Sequence, residues 1–187
     1  MTRNHILAVT LLLAAFSLPA VQHSRDRDPL SDKEVDKLRE AGVDPDNKIK
    51  LFVEFTTLRM QWVEKTPTEN PLTHDAVPAN PAEALHDFNG LLEEVNSNID
   101  MYNRQRFDIR KSVKFAMTSE QQWLEKAKMF TTDLAQLSKD STMQHRCSLE
   151  LKDTIDILNE NLEDQKDILD EQNQLADERS KDKKKKK

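Results

Sequence analysis

A heptad repeat of apolar residues begins just after Pro81, and it constrains the fold more than any other feature of the sequence. With Leu85 placed at position a, nine of the first ten a and d positions are apolar, which is typical of a helix that packs along a bundle or coiled-coil seam. No proline follows Pro81, so the chain there permits long helices. The pattern predicts one helix over residues 81–117. Its seam positions are Leu85, Phe88, Leu92, Val95, Ile99, Tyr102, Arg106, Ile109, Val113 and Ala116.

The same phase extends toward the C-terminus, but polar residues interrupt it. Its polar members are Glu120, Ser141, Gln144, Ser148, Gln165 and Gln172. Its further apolar members are Trp123, Ala127, Phe130, Leu134, Leu137, Leu151, Ile155, Leu158, Leu162, Leu169 and Ala176. Two architectures fit: a single rod over residues 81–178, roughly 140 Å long at 1.5 Å per residue, or a chain that folds back at the interruptions. Thr118-Ser119 and Asp140-Ser141 can each cap a new helix.

Upstream of the heptads, two further helices are predicted. Ser31 and Glu34 have the spacing of a capping box, and Gly42 is suited to end the short helix that follows. Asp44-Pro45 then begins a helix with a broad apolar face. Its apolar residues are Leu51, Phe55, Leu58 and Trp62, flanked by Ile49, Phe52, Val53, Met60 and Val63. A face this wide needs several partners, which favours the chain that folds back.

The predicted fold class is therefore all-α: an antiparallel helical bundle or coiled-coil hairpin. Helices are expected at about residues 32–41, 45–65, 81–117, 120–138 and 142–178. Residues 21–30 are expected to form a flexible lead. The linker 66–80 contains three prolines. A lysine-rich tail over residues 179–187 is expected to be disordered, with weak contact to anionic surfaces as its functional alternative.

Residues 1–20 resemble a secretory signal peptide. Arg3 precedes an apolar run over residues 6–18, and Pro19-Ala20 supplies a small residue for cleavage. The run is too short to cross a bilayer, so a cleaved signal is favoured over an uncleaved anchor, with the cut near Ala20. No later segment reaches the length of a membrane span. The mature chain is expected to be exported, either to the periplasm or beyond the cell.

Composition excludes several functional classes. The chain holds only two glycines, too few for the phosphate loops of a doubly wound α/β enzyme. Residues 21–180 carry 21 basic and 33 acidic side chains, and this acidic body argues against nucleic acid as a partner. The single cysteine, Cys147, is expected to be a free thiol or, less favoured, a link between two chains.

One pair of residues has the spacing of a metal site. Glu83 and His86 form a Glu-x-x-His motif, of which a di-iron bundle needs two. The other histidines of the mature chain have no carboxylate three residues before them. In the heptad phase of Leu85, Glu83 and His86 fall at positions f and b, away from the seam. We therefore expect no metal, no cofactor and no catalytic residues.

A basic segment over residues 104–114 is the candidate for partner binding. It holds Arg104, Arg106, Arg110, Lys111 and Lys114. These side chains could bind an anion or polyanion, but we favour pairing with the acidic last helix across the bundle. A charged residue at a seam position, as predicted for Arg106, costs stability and can select a register or a partner.

The stretch 30–55, LSDKEVDKLREAGVDPDNKIKLFVEF, resembles the opening of a group of uncharacterised exported bacterial helical proteins. The pattern is a short capped helix, an Asp-Pro break and an amphipathic helix, and the WLEK at residues 123–126 is similar as well. The resemblance implies export and helices, and no activity.

Two functions of different classes remain. The first is a non-enzymatic interaction, scaffold or chaperone-like module of the cell envelope, which contacts a protein partner or another copy of itself through the heptad seam. The alternative is a helical bundle that binds a ligand or cofactor.

Overall fold

The predicted all-α fold class is confirmed for the part of the chain that a computed structural model describes, residues 28–64 and 77–185. The helices are α1 (Asp32–Glu40), α2 (Pro45–Glu64), α3 (Pro81–Arg104), α4 (Arg110–Thr132) and α5 (Ser141–Lys185), with a short 3-10 turn at Leu134–Gln136. The predicted signal peptide, most of the lead and most of the linker lie outside these residues. No described helix is both long and apolar enough to cross a membrane.

The predicted starts of α1 and α3 are confirmed by their caps. The backbone N–H of Glu34 donates to Ser31 Oγ, and Glu34 Oε2 accepts from the Ser31 N–H, which completes the capping box. At α3, Asn80 Oδ1 accepts from the Glu83 N–H at 3.0 Å and Pro81 occupies the first turn. Local side-chain chemistry thus determines where both helices begin.

The predicted single helix over 81–117 is wrong, because the chain breaks at residues 105–109. Arg106 has a φ of 61°, and the Phe107 N–H donates to the Tyr102 carbonyl, which closes the end of α3. Arg106 is therefore exposed in a loop and does not lie on the seam. Arg106 is the only seam position of residues 85–116 that is not apolar, so moving its side chain into a loop takes no apolar group out of the core.

A predicted helix boundary at Thr118-Ser119 is also wrong. Both hydroxyls donate to carbonyls four residues earlier, those of Lys114 and Phe115, and α4 continues through them to Thr132. Inside a helix, serine and threonine hydroxyls can donate to the carbonyl four residues earlier, so these two residues do not cap a new helix.

The predicted turn before residue 142 is present, since Asp140 Oδ1 accepts from the Met143 N–H at 2.8 Å at the start of α5. A single rod over 81–178 is thereby excluded. At the other end α5 continues to Lys185, so the tail predicted to be disordered from residue 179 is helical over its described part. No glycine or proline stops it.

The four long helices alternate in direction. Ser112 donates to Asp46 and Lys126 pairs with Glu64, so α4 runs parallel to α2. Gln165 donates to Glu120, and α5 runs antiparallel to α4, as is also true of the pair α2 and α3. The helices α3 and α4 lie diagonally opposite, where the rings of Phe88 and Trp123 meet edge to face at 5.3 Å between centroids.

The heptad phase predicts the core of α3 and α4 well, but not that of α5. The α3 and α4 seam from Leu85 to Phe130 is buried apart from the loop residue Arg106. In α5 the predicted positions Leu151, Leu158, Gln165 and Gln172 are buried, whereas the other half of the seam is shifted by one residue. Cys147, Thr154, Asn161 and Ile168 are buried in place of Ser148, Ile155, Leu162 and Leu169. The turn before α5 resets the phase, so extrapolation from Leu85 fails.

A buried ion pair ties the N-terminal segment to α2. Arg59, which is fully buried, donates from both terminal nitrogens to Glu34 at 2.7 Å, and also donates to the Pro29 carbonyl. Burial alone would raise the pKa of Glu34, but the hydrogen bonds from Arg59 and Ser31 outweigh it and the pKa is lowered. The predicted apolar face of α2 is buried at Phe55 and at all five flanking residues, whereas Leu51, Leu58 and Trp62 are only partly buried. The centre of the face is therefore shifted toward Ile49, Val53 and Thr56.

Arg59→Ala should lower the free energy of unfolding by about 3–5 kcal/mol, because it leaves the buried Glu34 carboxylate without a counter-ion. Urea unfolding followed by circular dichroism measures this. The matched control is Arg39→Ala, which removes an exposed pair with Asp36 and should cost less than about 1 kcal/mol. Equal losses in the two variants would contradict the assigned role of Arg59.

Arg106→Gly should raise the free energy of unfolding by about 1 kcal/mol, because glycine adopts the left-handed backbone of this residue without the steric cost of a Cβ. Arg104→Gly, in the last turn of α3, should act in the opposite direction by about 1 kcal/mol. Thermal unfolding of the pair distinguishes the two signs.

Candidate functional site

Three of the five predicted partner-binding residues meet at one end of the bundle. Arg110, Lys111 and Lys114 line an open cleft of about 400 Å³, together with Asp46, Asp108 and Asn173. Arg104 lines a separate cleft of about 390 Å³ beside Met101 and Gln105. Arg106 lies in the loop between them. The five side chains are therefore near one another but do not converge on one point.

The charges of this cluster are partly neutralised close by. Arg104 pairs with Asp100 at 2.8 Å and Arg110 with Asp108 at 2.7 Å. The hydrogen bond from Arg110 is the main reason that the pKa of Asp108 is lowered. The direct partners of these two arginines come from α3 and the loop; the predicted pairing with the last helix is present for Arg110 only as a weaker electrostatic attraction to Asp177 of α5. Where α5 reaches this end, the Arg179 side chain donates to the Arg106 carbonyl at 3.2 Å.

Exposed apolar side chains occur toward the same end of the bundle, on different helices and in the loops that join them. Val43 is 89% exposed, and Met101, Phe107 and Phe115 are each about 40% exposed. The Phe107 ring packs edge to face on Tyr102 at 5.7 Å between centroids. We call these four residues together with the five basic ones the loop-end surface.

The side chains of the Glu-x-x-His pair do not point into the core of the bundle. Asn80 Nδ2 and the Ala79 N–H both donate to the Glu83 carboxylate, so Glu83 serves the helix cap. The predicted outward direction of His86 is confirmed, with its side chain 71% exposed and Nδ1 3.6 Å from Glu150 Oε1. Within residues 28–64 and 77–185 no three histidine, cysteine or acidic side chains are grouped to hold a metal ion.

Cys147 is a free thiol that lies fully buried on the α5 seam. Burial is the main cause of its raised pKa. A buried thiol with a raised pKa is a poor nucleophile, and in this position it cannot reach a second chain to form a disulfide.

A polar layer inside the bundle is the feature that sequence reasoning missed. Glu120 of α4 is fully buried, and Gln165 of α5 donates to it at 2.7 Å. Glu120 Oε2, Gln165 Oε1 and Asn161 Nδ2 are buried and without a protein partner. Burial, only partly offset by the Gln165 hydrogen bond, raises the pKa of Glu120 to about 7. The seam position of Glu120 could have predicted its burial, but a polar residue beside Thr118-Ser119 also fits a helix boundary, which is what the sequence favours.

Neighbouring polar contacts join α5 to α3. Thr154 Oγ1 donates to Asn89 Oδ1 at 2.6 Å, and Gln172 Nε2 donates to Asn103 Oδ1 at 2.6 Å. These pairs lie about two and three turns from the Glu120 layer along α5. They are satisfied, whereas the layer at Glu120 is not.

Comparison of the chain with protein-family models, with curated proteins and with solved structures finds no match.

Cys147 should react with a soluble thiol reagent such as dithionitrobenzoate only when the bundle opens, because its sulfur is fully buried and its pKa is raised. Native protein should label at least about a hundredfold more slowly than protein in denaturant. Leu149→Cys in a Cys147→Ser background is the exposed control on the same helix, since Leu149 is 54% exposed. Equal labelling rates at the two positions would place Cys147 at the surface.

Proposed function

We propose that the mature chain is an exported, non-enzymatic module of the cell envelope that acts by contact with another protein through the loop-end surface. The observation that carries the proposal is that four of the six large apolar side chains exposed among the described residues lie toward this end of the bundle, two of them in its loops. Lys111 and Lys114 lie in the adjacent cleft. Interfaces commonly combine an apolar centre with a polar, charged rim.

The heptad seam is not available for this contact in the folded monomer. Its residues on α3 and α4, from Leu85 to Phe130, are covered by α2 and α5 of the same chain. Contact through the seam, as expected from the sequence, would require the bundle to open. The surface of the closed bundle is therefore the better basis for binding.

The mixed charge of the loop-end surface favours a protein partner over a polyanion. Asp46, Asp100 and Asp108 are interleaved with the cations, and a dense polyanion would meet repulsion from them. A partner with an apolar anchor and a few carboxylates matches both components of the surface.

Export is part of the proposal and is supported by the sequence of residues 1–20, which has the basic start, apolar run and small residue of a signal peptide. Mass spectrometry of the protein from its own cells tests this part separately. A mature N-terminus near Val21 supports it, and recovery of the uncut chain in the cytoplasm counts against it.

Contact through the loop-end surface can be tested with a photo-crosslinking amino acid at position 115, with position 129 as the matched control. Met129 is 62% exposed on the same helix, nearer its other end. We expect a defined crosslinked protein from position 115 and none from position 129. Phe115→Ser should abolish the crosslink from a probe at position 111, one turn earlier on α4, while the unfolding free energy changes by less than about 0.5 kcal/mol.

Light scattering and an apolar reporter dye provide a second test on purified protein. The dye should bind wild type and bind Phe115→Ser more weakly, because the exposed ring contributes to the apolar surface. A compact monomer that binds no dye and crosslinks to nothing from position 115 would contradict the proposed function.

A further inference from the structure

The contact between Glu120 and Gln165 leaves two acceptor atoms unsatisfied in the interior. Gln165 Nε2 donates to Glu120 Oε1 at 2.7 Å, while Glu120 Oε2 and Gln165 Oε1 have no protein partner. Both residues are fully buried. An ionised carboxylate has no hydrogen to offer the amide oxygen, so ionisation leaves both acceptors unsatisfied.

A protonated Glu120 removes this conflict. A neutral carboxylic acid carries one O–H donor, and an acid and a primary amide are complementary: the amide donates to one carboxyl oxygen and the acid donates to the amide oxygen. Of the three buried atoms without partners in this layer, Glu120 Oε2 can carry the proton and Gln165 Oε1 can accept it, while Asn161 Nδ2 is an amide donor that no protein atom accepts. The layer is thus built for the neutral acid.

No charged group contributes to the pKa of Glu120, so no neighbouring cation stabilises its ionised carboxylate in place of a proton. Arg59 of α2 is bound to Glu34, Glu93 and Glu94 of α3 are exposed, and Asp164 and Lys166, which flank Gln165 on α5, are exposed as well. None of them contributes to the pKa of Glu120, which burial raises to about 7 and the Gln165 hydrogen bond moderates.

We propose that Glu120 and Gln165 form a proton-dependent latch between α4 and α5, closed when Glu120 is protonated and loosened when it ionises. The latch joins the helices at mid-length, between the Asn89–Thr154 and Asn103–Gln172 pairs. Ionisation weakens the attachment of α5 to α4 and leaves its attachment to α3 unchanged.

The direction of the pH effect follows from proton linkage. The folded chain holds the Glu120 proton up to about pH 7, whereas the unfolded chain releases it near the ordinary value of 4.5. Between these values the folded state binds more protons, so the stability of the bundle falls as pH rises. Above about pH 7 the full loss is present.

Hydrogen exchange in the full mature chain tests the latch, with Glu120→Gln as the key variant and Glu125→Gln, exposed on the same helix, as the control. After correction for intrinsic exchange, protection of α4 and α5 amides around the layer should fall about tenfold or more between about pH 5 and pH 8.5, since each unit of pKa shift corresponds to a factor of ten. Glu120→Gln should abolish this fall, because its amide donates permanently. Glu125→Gln should retain it.

An equal fall of protection in wild type and Glu120→Gln would overturn the proposal. So would a Glu120→Gln chain that fails to fold, because the amide reproduces the hydrogen bonds of the neutral acid. NMR titration of the Glu120 carboxyl carbon in wild type provides an independent measurement. A pKa near 7 supports the latch, and a pKa in the ordinary range of glutamate overturns it.

Discussion

The seam that α5 contributes to the core is half polar, and the bundle depends on α3 and α4 supplying partners for it. Thr154 is matched by Asn89, Gln172 by Asn103 and Gln165 by Glu120. A slip of α5 by four residues would bring apolar side chains opposite Asn89, Glu120 and Asn103 and leave these three groups unpaired, at a cost of about 1–3 kcal/mol each. An all-leucine seam would tolerate such slips more readily. The polar pairs therefore select one register among several of similar apolar burial, as buried polar residues do in coiled coils.

Two buried glutamates show how strongly local partners determine charge. Glu34 lies against the guanidinium of Arg59 and a helix start, and its pKa is lowered despite burial. Glu120 has only a neutral amide, and its pKa is raised. The first is stabilising as an anion, so its contribution is lost in acid. The second is tolerated as a neutral acid, so its contribution is lost in base. Together they confine the most stable form of the bundle to mildly acidic pH.

The sequence predicts the helical class, the caps at Ser31 and Asn80, and the buried faces of α3 and α4, because each depends on residues close in the chain. It does not predict the break at 105–109, since Arg106 reads as one imperfect position in a good repeat. It also misplaces half of the α5 seam, because a turn resets the helical phase by an amount that only packing determines. Arg59 was missed because a long basic side chain on an apolar face is usually at the surface; its partner, Glu34, lies 25 residues away.

The candidate site, like the fold, can be predicted from the sequence only where it depends on residues close in the chain. Residues 104–114 are visible in the sequence as a basic cluster. Their aspartate partners, and the exposure of Phe107 and Phe115, become apparent only when the end of α3 and the starts of α4 and α2 come together in the fold. Because the core of this chain is closed on itself, binding energy must come from side chains that folding leaves outside it. At the loop-end surface, folding leaves apolar groups exposed beside cations already partly neutralised. The proposed protein partner would bury these apolar groups without removing water from unpaired charges, because the arginines are already paired with aspartates. A polyanion would have to compete with those aspartates for the same arginines.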